Sequence, residues 1–515
     1  MTDTADTGEP RQEATLAFLD EKVRQEAAKR IDTHASIVFL EPDRVLKIKR
    51  AVRLPFLDYS TLAKRKCACE DELAINRRYA PALYRRVVPI TRGAEGPEID
   101  GGGCVIEWAV EMARFDEART LDHLARAGKI EPGLGEAVAD VIGNAHAEAE
   151  ISDGSTWLAS IAGIIDRNIQ KFRGEASLSR DAVEQLHALS HRRLSDNLPL
   201  LQRRVSLGQV RRCHGDAHLG NIVMIDDKPV LFDAIEFDPA IATTDVLYDL
   251  AFPLMDLIHF GLNAAANRLF NRYLQRNWDE CAGALRLLPL FLSMRAAIRS
   301  HVAFTKCEQQ GGDAEEAAQA KTYFDLALQL LQPSHPTMIA IGGMSGTGKS
   351  ALARELAGQI PPQPGAVVLR SDVIRKELFG VDPLVALPQA AYGADVTARV
   401  YRILLERARP ILDQRFSVII DAAFLREAER DEIAAEARKM AADFRPIFLA
   451  ADLALRLERV GSRKNDASDA NRGIATLQES YDLGRIEWPT VDASGSPHET
   501  LERSLVLLGK GQHHA

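Results

Sequence analysis

Two groups of residues in this chain have the types and spacing needed to move a phosphoryl group. The first is Gly343-Met344-Ser345-Gly346-Thr347-Gly348-Lys349-Ser350, which fits G-x-x-x-x-G-K-[ST] at every position. An apolar run enters it and a helical run, Ser350-Ala-Leu-Ala-Arg-Glu-Leu-Ala, leaves it. Glycines so spaced let backbone N–H groups around Ser345, Gly346 and Thr347 converge on phosphate oxygens at a helix N-terminus. Lys349 then reaches the β- and γ-phosphates of ATP, and the Ser350 hydroxyl holds Mg²⁺. Asp421, at the end of Val418-Ile419-Ile420, is the acid expected to face the same metal. Ala422 rather than a glutamate follows it, and no Asn-Lys-x-Asp guanine-reading element occurs. A water-activating ATPase or a GTPase therefore gives way to a kinase, whose nucleophile is a substrate hydroxyl.

Asp372 ends a second apolar run, Val367-Val368-Leu369-Arg370-Ser371, where the crevice of a parallel sheet opens. A carboxylate there accepts a hydroxyl proton, and Arg375, one helical turn on, holds an anionic substrate or phosphate. A simple helix cap is the plainer reading of Asp372. Arg456, Arg459 and Arg463 lie three and four apart on one helix face. That segment is expected to close over ATP as a lid, with Arg459 and Arg463 neutralising the transferring phosphoryl group. A solvated basic face is the plainer alternative.

The second group is His214-Gly215-Asp216-Ala217-His218-Leu219-Gly220-Asn221, followed by a hairpin that ends at Asp233. Asp-x₄-Asn and a later Asp reproduce the order of base, first metal ligand and second metal ligand in eukaryotic kinases. Asp216 would orient and deprotonate an acceptor hydroxyl, with His218 on the substrate side. Asn221 and Asp233 would hold Mg²⁺ against the phosphates.

The run His-Gly-Asp-x-His-x-x-Asn resembles the aminoglycoside phosphotransferase and choline kinase family. Phe232-Asp233-Ala-Ile-Glu236 stands at its metal-binding element, and Asp245-Val-Leu-Tyr-Asp249-Leu-Ala251 resembles its bracing helix start. The resemblance implies a lysine on an upstream strand and a glutamate on the next helix. Lys47 is the choice for the phosphate contact, with Lys49 on the same strand face as the alternative; Glu72 is its partner, with Glu70 as the alternative. The chain departs from protein kinases in having no glycine between Thr33 and Val45, so their glycine-rich phosphate cover is absent. Residues 338–505 resemble the small-molecule P-loop kinases of the gluconate kinase, zeta toxin and polynucleotide kinase group. There the acid after the second strand meets the acceptor hydroxyl and a lid supplies arginines. The whole chain resembles bacterial proteins that fuse these two kinds of domain.

The elements that must position these residues follow from pattern and punctuation. A polar extension, residues 1–30, is disordered at first and then helical from about Ala14 to Arg30. Ser36–Leu40 and Arg44–Lys49 read as a hairpin, and residues 64–79 as an amphipathic helix. Helices dominate from about Leu121 to Leu331, interrupted by a short strand-loop-hairpin block. Gln332-Pro-Ser-His-Pro336 is a breaker cluster, which makes 332–337 a linker. The expected architecture is thus a kinase-like α+β domain over 31–331, of the aminoglycoside phosphotransferase fold, and an α/β domain over 338–515. Strands and helices alternate in the latter, as in a P-loop parallel sheet with helices on both faces.

A chain of 515 residues suits two such domains. The formal net charge of −9, with no basic-aromatic stretch near Asp372, argues against nucleic acid as partner. Six scattered cysteines fit reduced thiols in the cytoplasm. No stretch is read as the roughly 18–20 apolar residues that span a bilayer, and Leu285–Leu292 reads as buried helix around a break at Pro289. The expectation is a cytoplasmic, bifunctional kinase using ATP and Mg²⁺ on small-molecule hydroxyls of sugar, amino sugar or polyol type. The alternatives are one active P-loop kinase under a ligand-sensing kinase-like domain, a nucleic-acid end kinase, and a toxin-like kinase.

Overall fold

A computed structural model describes residues 12–509, apart from 26–28, 34, 55–56, 95, 310–313 and 463–465. The chain divides into two compact units. Met1–Ile130, Val141–Ile161 and Leu201–Pro253 form one; Glu131–Asp140, Ala162–Leu200 and Leu254–Ala515 form the other.

The first unit is built on a six-stranded antiparallel sheet. Its strands run, in spatial order, Lys29–Asp32, Ser36–Leu40, Arg44–Lys49, Cys104–Ala113, Tyr84–Arg92 and Pro97–Ile99. Side chains alternate across a strand. Leu46 and Ile48 therefore bury on one face with Ile37, Phe39, Val88 and Leu19 of the helix Gln12–Gln25. Val45 packs on the other face, toward Cys69 of the helix Leu62–Asn76. Lys47 and Lys49 share that second face, which brings them to Glu72 on the same helix. The helix expected over Ala14–Arg30 is described over Gln12–Gln25, and Arg30 lies instead in the edge strand Lys29–Asp32, which pairs with Ser36–Leu40. The catalytic block lies on a strand, Val210–Arg212, and a hairpin, Ile222–Ile225 with Lys228–Leu231.

The second unit contains helices and a five-stranded parallel sheet, ordered Val367–Arg370, Val418–Asp421, Thr337–Gly343, Asp443–Ala450 and Thr490–Asp492. Residues 332–337 lie inside this unit. Ile339, Ile341, Ile419, Ile447 and Leu449 form its apolar centre with Leu352 and Leu356 of the helix Lys349–Ala357. The open edge of Val367–Arg370 is closed by side chains. On the helix Asn263–Arg276, Asn271 accepts from Val368 N (2.7 Å) and donates to Ala366 O (3.1 Å). Asn267, one turn earlier, donates to Pro364 O (3.2 Å) and Ala366 O (3.0 Å).

Trp278–Gln309, which includes Leu285–Leu292, is long and apolar enough to cross a membrane, but 78% of its most apolar window is buried inside the protein. Pro289 falls in the first turn of the helix Leu288–Gln309, where its missing N–H costs no hydrogen bond.

Candidate functional site

The P-loop of the second unit is shaped by left-handed glycines. Gly346 has φ +86°, and a Cβ there would lie 2.6 Å from Arg456 O, so only glycine fits. Gly348 has φ +95° and faces open space, as a cradle for a ligand requires. Ser345 N donates to Gln478 Oε1 (2.7 Å), so a side-chain carbonyl oxygen takes one loop donor suited to a phosphate oxygen. Lys349 Nζ donates to Met344 O (3.1 Å), and Ser350 Oγ donates to Asp421 Oδ2 (2.6 Å). A hydroxyl and a carboxylate meeting at the end of the loop are an oxygen donor set suited to Mg²⁺ beside ATP phosphates.

Beyond the loop lies a cavity of about 880 Å³, lined by Lys349, Ser350 and Asp421 at one end and by Asp372, Arg375 and Arg426 among others. The Asp372 carboxyl is held above its ordinary value by burial and by the neighbouring Asp421, against the pull of Arg370 and Lys349. Arg375 is buried, donates to Ala391 O (2.6 Å) and Thr397 Oγ1 (3.3 Å), and lies 4.9 Å from the Tyr392 ring centroid. Its Nε is buried with no hydrogen-bond partner among the described residues.

In the first unit the two lysines flank one buried carboxylate. Lys47 Nζ is 2.8 Å from Glu72 Oε1 and also pairs with Asp233; Lys49 Nζ is 2.6 Å from Glu72 Oε2 and also pairs with Glu236. Burial opposes the Lys47 charge, but Asp233 and Glu72 outweigh it and raise its pKa well above the usual value. Burial likewise opposes the Glu72 carboxylate, and the two lysines outweigh it and lower its pKa. Glu70 is instead exposed beside Lys66 (3.5 Å). Asn221 Nδ2 donates to Asp216 O (2.9 Å) and Oδ2 (3.1 Å), joining base and metal candidates in one turn. Gly215, at φ +84°, donates its N–H to Asp249 Oδ1 (2.8 Å), and Asp249 Oδ2 faces His146 Nε2 (3.1 Å). Asp245 forms a buried two-bond pair with Arg204 (2.6 and 2.8 Å). Asp249 thus braces the loop, whereas Asp245 is anchored to Arg204 and accepts from Leu247 N (2.8 Å).

Residues 45–284 match the model of the phosphotransferase enzyme family, and residues 338–481 match that of an AAA domain. The chain is 27% identical over 470 residues to uncharacterized proteins of Mycobacterium tuberculosis and Mycobacterium bovis, covering 88% of this chain and 90% of each of those. A gluconokinase from Sinorhizobium meliloti is 21% identical, covering 34% of this chain and 93% of that one, with a TM-score of 0.26. A choline/ethanolamine kinase family protein from Mesorhizobium loti is 13% identical, covering 61% and 98%, with a TM-score of 0.35.

Within the region matched over 338–481 the expected kinase lid differs. Arg456 is buried and donates to Ala451 O (3.1 Å) and Ser345 O (3.4 Å), bracing the P-loop from behind. Arg459 donates to Ala493 O and Gly495 O, both 2.8 Å, and does not line the cavity. Arg463 lies outside the described residues. The acids of the same segment pair with basic residues instead: Asp466 holds Arg370 (2.9 Å) and Arg354 (3.2 Å), and Asp469, which lines the cavity, holds Lys376 (2.6 Å). In the phosphotransferase region His218, expected on the substrate, accepts from Gly220 N through Nδ1 (3.0 Å), with Nε2 3.6 Å from Asp216 Oδ2. Sequence reasoning missed Asn76, which receives Ala234 N (2.7 Å) and fixes the backbone beside Asp233, and Tyr84, whose hydroxyl receives Asp233 N (3.1 Å).

Proposed function

We propose that the chain is a bifunctional ATP-dependent phosphotransferase, cytoplasmic, transferring the γ-phosphoryl group to hydroxyls of small molecules at two separate centres. The observation that carries the reading is the continuous cavity of the kinase region, with the phosphate-binding loop at one end and Asp372 with Arg375 at the other. A volume of about 880 Å³ has room for nucleotide phosphates and a small acceptor together. The loop amides and Lys349 bind and orient the phosphates. Ser350 and Asp421 hold Mg²⁺, which draws charge from the phosphate oxygens when bound. Asp372 takes the acceptor hydroxyl proton, and its raised pKa suits a base more than an ordinary aspartate would. Arg375, which lines the cavity beside Asp372, positions an anionic group on the acceptor, so sugar acids or phosphorylated polyols are the favoured class here.

In the phosphotransferase region Asp216 is the base, Asn221 and Asp233 the metal ligands, and Lys47, held by Glu72, the phosphate contact. A second reading, a sensing module, is favoured by the direct Lys47–Asp233 pair and the glycine-free hairpin turn, which leave phosphate binding dependent on breaking an ion pair.

Wild type, Asp216→Ala and Lys349→Ala are incubated with Mg-ATP and a metabolite extract, and phosphorylated products are read by mass spectrometry. Two product sets, each lost in one variant, are expected. Products lost only with Lys349→Ala support the sensing module. Undiminished products in the double variant refute both sites.

A further inference from the structure

We propose that Arg370 is a resident cation of the P-loop metal site, holding Ser350 and Asp421 while the site is empty and drawn aside by Asp466 when Mg-ATP enters. The inference rests on the kinase reading of the cleft and adds a residue that neither sequence motif contains.

Arg370 is the last residue of the edge strand Val367–Arg370, in register with Asp421 on the neighbouring strand. Its Nε donates to Asp421 Oδ2 (3.3 Å), the same oxygen that receives Ser350 Oγ at 2.6 Å. Its Nη2 donates to Ser350 Oγ (3.1 Å) and to Asp466 Oδ1 (2.9 Å). One guanidinium thus touches both oxygens assigned to the metal and one acid outside that pair. The position is largely enclosed, so each contact acts at a lower dielectric than water. Arginine does not deprotonate in proteins and cannot yield its charge to a second cation. It must move, and Asp466 is the partner already in its grasp. Asp466 is prepared for that role: Arg354 supports its Oδ2 at 3.2 Å, and Ser468 N donates at 2.9 Å to Oδ1, the oxygen Arg370 holds. Its carboxyl, despite burial, is held at about 2 by Arg370 and these neighbours, so it stays ionised at neutral pH. Handover gives up the Asp421 pair and strengthens the one with Asp466, which receives a single bond from Nη2 before it. It also couples metal arrival to the segment that carries Asp466 and Asp469, both anchored at Arg370 and Lys376 on either side of Asp372.

The test is Mn²⁺ binding to the full chain with a saturating non-hydrolysable ATP analogue, read by electron paramagnetic resonance. The component of interest is the one that Lys349→Ala removes. Arg370→Met frees the pair from its resident cation, so half-saturation falls by roughly five- to tenfold, the fraction the occupied state withholds. Asp466→Asn removes the alternative partner and raises half-saturation by about the same factor. In the double variant Asp466→Asn has no further effect, whereas simple charge addition would give an intermediate value. An unchanged or weaker Mn²⁺ affinity in Arg370→Met, or additive effects in the double variant, overturns the inference. Should Arg370→Met fail to fold, an unchanged Asp466→Asn overturns it alone. Absence of any Lys349-dependent component in the wild type would instead refute the kinase reading of the cleft.

Discussion

The paired lysines of the phosphotransferase region have different tasks, and the difference is measurable. Lys49 is 2% exposed and serves two buried carboxylates, Glu72 at 0% and Glu236 at 6%. Lys49→Met leaves Glu72 with Lys47, but among the described residues leaves Glu236 with only the Tyr59 hydroxyl at 3.3 Å. Stranding one buried charge costs about 3–5 kcal/mol. For a unit of this size that is a fall of roughly 6–20 °C in midpoint. Lys47→Met leaves Glu72 with Lys49, and Asp233, 41% exposed on its side chain, regains water. Its stability cost is about 1 kcal/mol, while loss of a phosphate contact lowers transfer at this centre by about a hundredfold. Thermal unfolding of the full chain, with hydrogen exchange on peptides spanning residues 44–76, locates the lost stability. Product formation in a Lys349→Ala background isolates the activity. A Lys47→Met variant that is the less stable of the two yet retains transfer would refute the division of labour.

Three further outcomes concern the second unit. Asp372→Asn should lower Lys349-dependent transfer by about 10²–10⁴-fold. Because burial and Asp421 raise the pKa of Asp372, the base form is lost as pH falls through a value above the ordinary 3.8; a pH–rate profile with its acid limb at or below 3.8 would exclude it as the base. Asn271→Ala strands Val368 N–H at the sheet edge and should cost about 1–3 kcal/mol, measured as a shifted urea midpoint at constant slope. Gly346→Ala drives a Cβ to 2.6 Å from Arg456 O at φ +86°, so it should abolish Lys349-dependent nucleotide binding in a fluorescence titration and leave Asp216-dependent transfer intact.

The parts of both sites that were legible in sequence are those whose chemistry is local. A phosphate loop is eight consecutive residues, and its neighbours Asp372 and Asp421 end apolar runs that any parallel sheet aligns. The lid arginines show the limit. Spacing puts Arg456 and Arg459 on one helix face, but not which way that face turns; here it turns to the back of the P-loop and to the carbonyls of Ala493 and Gly495. The strand Thr490–Asp492 escaped for another reason: three residues are too few to show alternation. Asn76 was invisible because its partner, Ala234, is 158 residues away, and nothing in the composition of an amphipathic helix marks one asparagine for a distant backbone.

The asparagines at the sheet edge carry the same lesson further. An edge strand presents unpaired N–H and C=O groups that must be covered or left to water. Here a helix supplies two amides one turn apart, on the same face. Asn271 uses both ends of its amide, accepting from Val368 and donating to Ala366, as a neighbouring strand's peptide groups would. Asn263–Arg276 falls within the span matched to the phosphotransferase family, 45–284, yet its side chains complete the sheet of the region matched over 338–481. Both lie in one compact unit. The strand it completes ends in Arg370 and leads to Asp372, the proposed resident cation and the proposed base. The position of these two residues therefore depends on amides outside the span matched over 338–481, which is why family boundaries drawn from sequence do not mark where the proposed site is physically complete.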